Sequence, residues 1–199
     1  MNPTKPESTL GDLLLEWEGE WRSLGAPVQE LVFPGLARQA VGRQLRDAFG
    51  KAPVELVEWF SWHNGSPINR PMDELRSAAP SSRTLMPLQD CLAHRREFLA
   101  VPRQTSDGWD LPRWDPRWLT LSHDTGGEGS LAFHVDDLTL IDVYWWDAEF
   151  TRIAADSMAE AVRIWVETLR AGYYAWEGGN WVYDVNRLPR DLMARSIIG

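Results

Sequence analysis

Residues 52–65, Ala-Pro-Val-Glu-Leu-Val-Glu-Trp-Phe-Ser-Trp-His-Asn-Gly, constrain the fold more than any other stretch, because they spell a short amphipathic helix with both ends marked. Pro53 is tolerated in a first helical turn, where its missing N–H costs nothing, and Asn64 and Gly65 supply the left-handed conformation that ends a helix. Between them Leu56, Val57, Trp59 and Phe60 fall at helical spacing, while Glu55 and Glu58 lie toward the positive end of the helix dipole. His63, just before the stop, is expected to act as a cation at the negative end. A second helical pattern runs from Arg38, with Val41, Leu45 and Phe49 every four residues and Gly50 as its stop.

The rest of the chain alternates between clear periodicities and punctuation. Leu10, Leu13, Leu14, Trp17, Trp21 and Leu24 predict an amphipathic helix from Thr9 to Gly25, with Glu16, Glu18 and Glu20 on its other face. Residues 1–8 are expected to be a disordered tail. A Pro-, Ser- and Arg-rich loop spans Ser66 to Thr84, long enough to be a candidate for partner contact. Leu85 to Leu88 allows a short strand, and Leu88, Cys91, Leu92, Arg95, Phe98 and Leu99 predict a helix over about 87–101. The character then turns to β: Trp118 to Ser122, Ser130 to Asp136 and Thr139 to Trp146 predict an antiparallel meander, with Asp137 and Leu138 in a tight turn. In the third of these strands Ile141, Val143 and Trp145 share one face, and Asp142, Tyr144 and Trp146 share the other. Ser157 and Glu160 form a capping box that opens the last long helix, whose buried stripe is Ala161, Ile164, Trp165, Thr168 and Leu169. Beyond Gly172 come a strand-like Trp181 to Tyr183, after a flexible Glu177-Gly-Gly-Asn180, and a small helix around 189–196.

The order of these elements resembles the SUKH superfamily, which includes bacterial toxin-immunity proteins and yeast regulators of cell-wall assembly. That family's pattern is a helix ending in Gly, a Leu-Pro pair opening the next helix, Asn-Gly closing it, a Trp-led strand, a Gly-rich turn and a strand ending in Asp. Gly50, Pro53, Asn64, Gly65, Trp118, Gly126, Gly127 and Asp136 match it, and the helix from Ser157 to Ala171 completes it. Ala52 stands where the family has Leu, and Arg46 where many members carry Glu. The likeness covers roughly residues 35–172. It implies an α+β fold: one domain over residues 9–199, with an antiparallel sheet of four to six strands and helices packed mainly on one face.

Composition narrows the classes of function. A chain of 199 residues most simply makes one domain with a real core. No apolar run reaches the roughly 18 residues of a membrane helix, and Met1 to Ser8 hold no signal-peptide apolar region, so a cytoplasmic, membrane-free protein is expected. Cys91 is the only cysteine, which excludes an intramolecular disulfide framework and a multi-thiolate zinc site, and its place on an apolar stripe predicts plain core. Net charge is −9, and residues 105–199 carry 16 Asp+Glu against 8 Lys+Arg, or −8. Such a surface repels nucleic-acid backbones and attracts a basic protein partner.

No constellation of catalytic residues stands out. Asp124-Thr125-Gly126 spells the aspartic-protease triplet, but that chemistry needs two such carboxylates and the chain has one. Its residues are better spent on a hairpin loop. His123 and His134, on neighbouring strands near Asp124 and Asp136, are expected to face each other, yet no metal-ligand or zinc-hydrolase spacing accompanies them. No serine-nucleophile elbow, phosphate loop or dinucleotide fingerprint occurs. No enzyme activity, cofactor or metal is therefore expected.

Ten of the twelve tryptophans divide by position. Trp17, Trp21, Trp59, Trp145 and Trp165 sit at core-facing positions of their elements. Trp109, Trp114, Trp146, Trp176 and Trp181 are harder to place in a core, and suit a tryptophan-heavy core with loops folded over it, a protein interface or a sugar platform. By resemblance the expected function is a bacterial immunity protein that occludes a cognate, basic, possibly nuclease toxin domain. Strand alternation and charge asymmetry assign its contact surface to Asp136, Asp137, Asp142, Tyr144, Trp146, Asp147 and Glu149, with Trp109 and Trp114 from the preceding loop. The alternatives are an intracellular scaffold of the cell-wall-assembly type and a carbohydrate-binding module. The partner's identity and the oligomeric state are open at this level.

Overall fold

Thr9 opens the first helix by the mechanism its side chain allows: its hydroxyl accepts from the Asp12 amide at 3.2 Å, and the Asp12 carboxylate accepts from the Thr9 amide in return. This computed structural model describes residues 8–67, 79, 83–101, 114–124, 129–144, 151–188, 190 and 192, and for Asp124 and Tyr144 it describes the backbone alone. Within them the helices are α1 (Leu10–Ser23), α2 (Val28–Leu31), α3 (Arg38–Phe49), α4 (Val54–Trp62), α5 (Leu88–Ala100) and α6 (Met158–Arg170). The strands are β1 (Arg83–Leu85), β2 (Trp118–Asp124), β3 (Gly129–His134), β4 (Leu140–Tyr144), β5 (Arg152–Ala155), β6 (Tyr174–Glu177) and β7 (Asn180–Tyr183). Residues 1–7, most of the 66–84 loop, the glycine-rich turn and most of 189–196 lie outside the described residues.

The first five strands form one antiparallel sheet in the order β1-β2-β3-β4-β5, and β6 and β7 form a separate hairpin, so the chain is an α+β single domain. One face of the sheet presents Leu119, Leu121, Leu131, Phe133 and Leu140 to a large core shared with α1, α4 and α6. The other face carries a smaller cluster of Trp114, Ala132, Ile141 and Val143, against which Phe98 of α5 and Trp118 pack. Helices therefore load mainly one face, and α5 contributes to both, since its Leu88 and Cys91 belong to the larger core. Among the described residues no helix is long and apolar enough to cross a membrane.

Asn64 and Gly65 are not what ends α4, which stops at Trp62 with His63 already extended at φ −144° and ψ 143°; they serve the next segment instead. The Asn64 side-chain oxygen accepts from the Leu88 amide at 2.9 Å, capping the next long helix, and a Cβ on Gly65 would sit 2.3 Å from the Pro87 nitrogen. Gly65 also takes φ 76°, so both its missing side chain and its conformational freedom are used there.

β5 has no counterpart in the sequence expectation. Arg-Ile-Ala-Ala is too short and too rich in alanine to show a strand period, and its pairing with β4 carries a register shift. At α6 the Ser157 hydroxyl accepts from the Glu160 amide as expected, but the Glu160 carboxylate accepts from the Asp156 amide at 2.7 Å. The cap is thus displaced by one residue from the reciprocal box.

Candidate functional site

At the turn between β3 and β4 the chain presents Asp136, Asp137 and Leu138. Asp136 meets Lys51, the residue after Gly50, at 2.5 Å, and lies 3.9 Å from Arg117. Arg117 in turn grips Asp115 with two donors, at 2.9 and 2.6 Å, a bidentate geometry that fixes both planes. Lys51 holds the Asp136 carboxyl below its ordinary range, and the Arg117 guanidinium draws Asp115 down to about 2. Two features of the family-like pattern, the helix stop at Gly50 and the strand-ending Asp136, are thereby joined through Lys51. Lys51 has no role among the sequence expectations, although its position directly after the helix stop is the available signal.

The tip of this turn is less neutralised than its base. Asp137 keeps 69% of its side chain exposed, while its amide donates to His134 Nδ1 at 3.0 Å. Leu138 is the only non-glycine residue with positive φ among those described, at 62°, and is 37% exposed. A branched apolar side chain in the left-handed region costs on the order of 1 kcal/mol that Gly or Asn would avoid. Its amide donates to the His134 carbonyl at 2.8 Å, which holds the turn closed.

The predicted contact residues are not all brought together. Asp136 and Asp137 stand at the surface as expected. Asp142 does not: it is 1% exposed and takes a hydrogen bond from Arg83 at 3.0 Å, with Arg152 at 3.6 Å on its other oxygen. Strand alternation separated the two faces of β4 correctly, but the face shared by Leu140 and Asp142 is the one turned to the large core, and Ile141 and Val143 face the smaller cluster. Trp114 is also buried, in contact with Phe98, His94 and Trp118. Trp176 and Trp181 pack partly buried against the large core. Trp109, Trp146, Asp147 and Glu149, together with the side chain of Tyr144, lie outside the described residues.

Two partly buried polar centres replace the histidine pair expected across β2 and β3. His134 lies opposite Trp118 and His123 opposite Ser130, so the two histidines do not face each other. Instead the His123 ring meets the His94 ring of α5 at 5.0 Å between centroids, with Ser130 at 2.7 Å from His123 Nδ1 and Thr120 at 3.0 Å from His94 Nδ1. Burial, helped by His123, pushes His94 down to about 4. Ser130 itself is 1% exposed, while His123 is half-buried.

The second centre is Glu18, expected on the outer face of α1 but buried. It accepts from Arg22, from Trp62 Nε1 at 2.9 Å and meets His63 Nε2 at 3.3 Å. His63 has left the helical conformation, at φ −144°, and its other nitrogen lies 3.0 Å from the Phe33 carbonyl. It ties α1 to the end of α4 rather than serving the helix dipole. Among the described residues no group of three or more His, Cys, Asp or Glu is placed to hold a metal ion. No family model and no curated protein matches the chain.

Proposed function

We propose that this chain is a non-catalytic protein-binding domain of the immunity type, similar to those of the SUKH superfamily, which neutralises a basic toxin domain by covering its active surface. The observation that carries the reading is the β3–β4 turn. It offers an exposed carboxylate at Asp137 and an exposed apolar side chain at Leu138, held in one geometry by Lys51, Arg117 and His134. A preordered apolar tip beside negative charge suits a pocket rimmed by lysine and arginine, because little entropy is lost on docking and the charges steer the approach. The centre of the proposed surface is accordingly Asp136, Asp137 and Leu138.

A pull-down from the native host at low and high salt, followed by calorimetry with the partner it identifies, tests this. The expected partner is a single basic domain lost as salt rises. Asp137→Arg and Leu138→Asn are expected to weaken it by about tenfold or more each. Leu138→Asn is also expected to raise the melting temperature of the free chain, since it relieves the left-handed leucine. A partner without basic character, or one whose affinity neither variant changes, overturns the reading.

A further inference from the structure

Among the described residues β7 pairs with β6 alone, and no strand pairs with its far edge. The hairpin register decides which backbone groups point there. Gly178 and Gly179, at φ 58° and 83°, close a two-residue turn, and at the other end the Asp184 amide donates to the Tyr173 carbonyl at 2.8 Å. Hydrogen-bonded positions alternate along an antiparallel pair, so Asn180 and Val182 turn their N–H and C=O groups toward β6, as the Asp184 amide does, while the Asp184 carbonyl accepts from the Arg187 amide at 3.0 Å. Trp181 and Tyr183 turn theirs outward.

That edge is apolar. Val182 is 39% exposed, Tyr183 61%, and Val185 just beyond it 62%. Proteins guard a free edge with lysine, proline or a bulge, and Asn180–Tyr183 contains none of these.

We propose that β7 pairs antiparallel with β7 of a second copy of this chain, about a twofold axis at Val182. In that register Trp181 stands opposite Tyr183 of the second copy, and both are outward-facing positions, so each pair exchanges N–H and C=O bonds on either side of the axis. A slip of one residue sets outward groups against inward ones and forfeits those bonds. Axes at Trp181 or Tyr183 keep the phase, but they place Val182 against Asn180 or Asp184. Only the axis at Val182 matches valine with valine and indole with phenol, and it leaves the Asp184 carboxylate to its own partners, the Asn186 amide at 3.0 Å and Arg187 at 3.3 Å. One short strand buries less than the roughly 1,200 Å² of stable complexes, so this dimer is weak and concentration-dependent. The net charge of −9 on each copy opposes it, and screening by added salt strengthens it.

Sedimentation velocity of the full chain over a concentration series tests the pairing. The sedimentation coefficient is expected to rise with concentration, at lower concentrations when salt is added. Val182→Lys and Val182→Glu each set like charges opposite one another at the axis, so each alone is expected to remain monomeric and their equimolar mixture to associate again. Both leave the β6 contacts in place, which circular dichroism and the melting temperature check. Val182→Cys is expected to cross-link two chains on oxidation, because non-hydrogen-bonded partners bring their Cβ atoms within about 4.5–5.5 Å. Cys91, the only native cysteine, is buried and does not compete. A parent chain that stays monomeric at every concentration overturns the proposal, as does an association that Val182→Lys leaves intact.

Discussion

Gly50 and Gly65 hold the same backbone angle, φ 76°, in different surroundings. A Cβ on Gly50 would meet nothing within 4 Å, whereas on Gly65 it would lie 2.3 Å from the Pro87 nitrogen and 2.5 Å from the Met86 carbonyl carbon. The pair therefore separates two roles of glycine. Gly50→Ala is expected to cost only the left-handed conformation, about 1 kcal/mol, while Gly65→Ala adds a backbone collision and is expected to cost about 3 kcal/mol or more. Chemical denaturation of the two variants measures the difference, and equal losses would remove the close-approach role. Gly35 has a third character: without a left-handed angle, its Cβ would still fall 1.9 Å from the Ser61 carbonyl oxygen. At this scale the Asn64-Gly65 pair is a joint between segments: the Gly65 carbonyl accepts from the Phe33 amide at 2.8 Å, and the Asn64 side chain opens α5.

The ion pair of Arg83 and Asp142 belongs to the scale of elements, since it reaches from β1 across the sheet to β4 on the core side. Both side chains are nearly inaccessible, at 7% and 2%. Removing one partner leaves the other charge buried, so Arg83→Ala is expected to cost about 3–5 kcal/mol. The double variant Arg83→Met/Asp142→Leu is expected to recover much of that loss, which a thermal melt of the three proteins decides. The same pair explains what the sequence could and could not disclose. Helix ends were legible wherever their determinants are local: Thr9, Gly50, Pro53 and Ser157 stand within a few residues of the groups they serve. The meander from β2 to β4 was legible from its periodicity and turns. Asp142 and Glu18 were misplaced on outer faces because a charge is expected to seek water, and the groups that permit their burial lie 59 and 44–45 residues away in the chain. His63 went astray for the same reason, its partners being Glu18 and Phe33. What periodicity cannot supply is the distant partner that makes a buried charge tolerable.

At the scale of the whole molecule, His94 and Asp115, both among the described residues, respond to acid in two separate windows. His94 is held neutral in the fold down to about 4, against an ordinary value of 6.5. Between these values the unfolded chain binds the extra proton, so stability is complete above about pH 6.5 and falls as pH drops toward 4. Asp115, drawn to about 2 from 3.8, contributes stability above its unfolded value that is lost only as pH falls below about 4. Melting temperatures from pH 7 to pH 3 are therefore expected to decline in two stages, and His94→Gln is expected to flatten the first while leaving the second. An unchanged first stage would show that the burial of His94 does not govern it. The indoles of the large core carry a different kind of consequence. Trp17 lies 4.8 Å from Trp21, 5.4 Å from Trp62 and 4.7 Å from Trp165, and Trp21 continues through Trp181 to Trp176 at 5.8 and 5.3 Å. Rings at these separations pass excitation among themselves faster than they emit it, so light absorbed at any one of them leaves from whichever site lies lowest in energy. Because α1, α4, α6 and the β6–β7 hairpin each supply members of the chain, its colour and anisotropy register whether those four parts stand together.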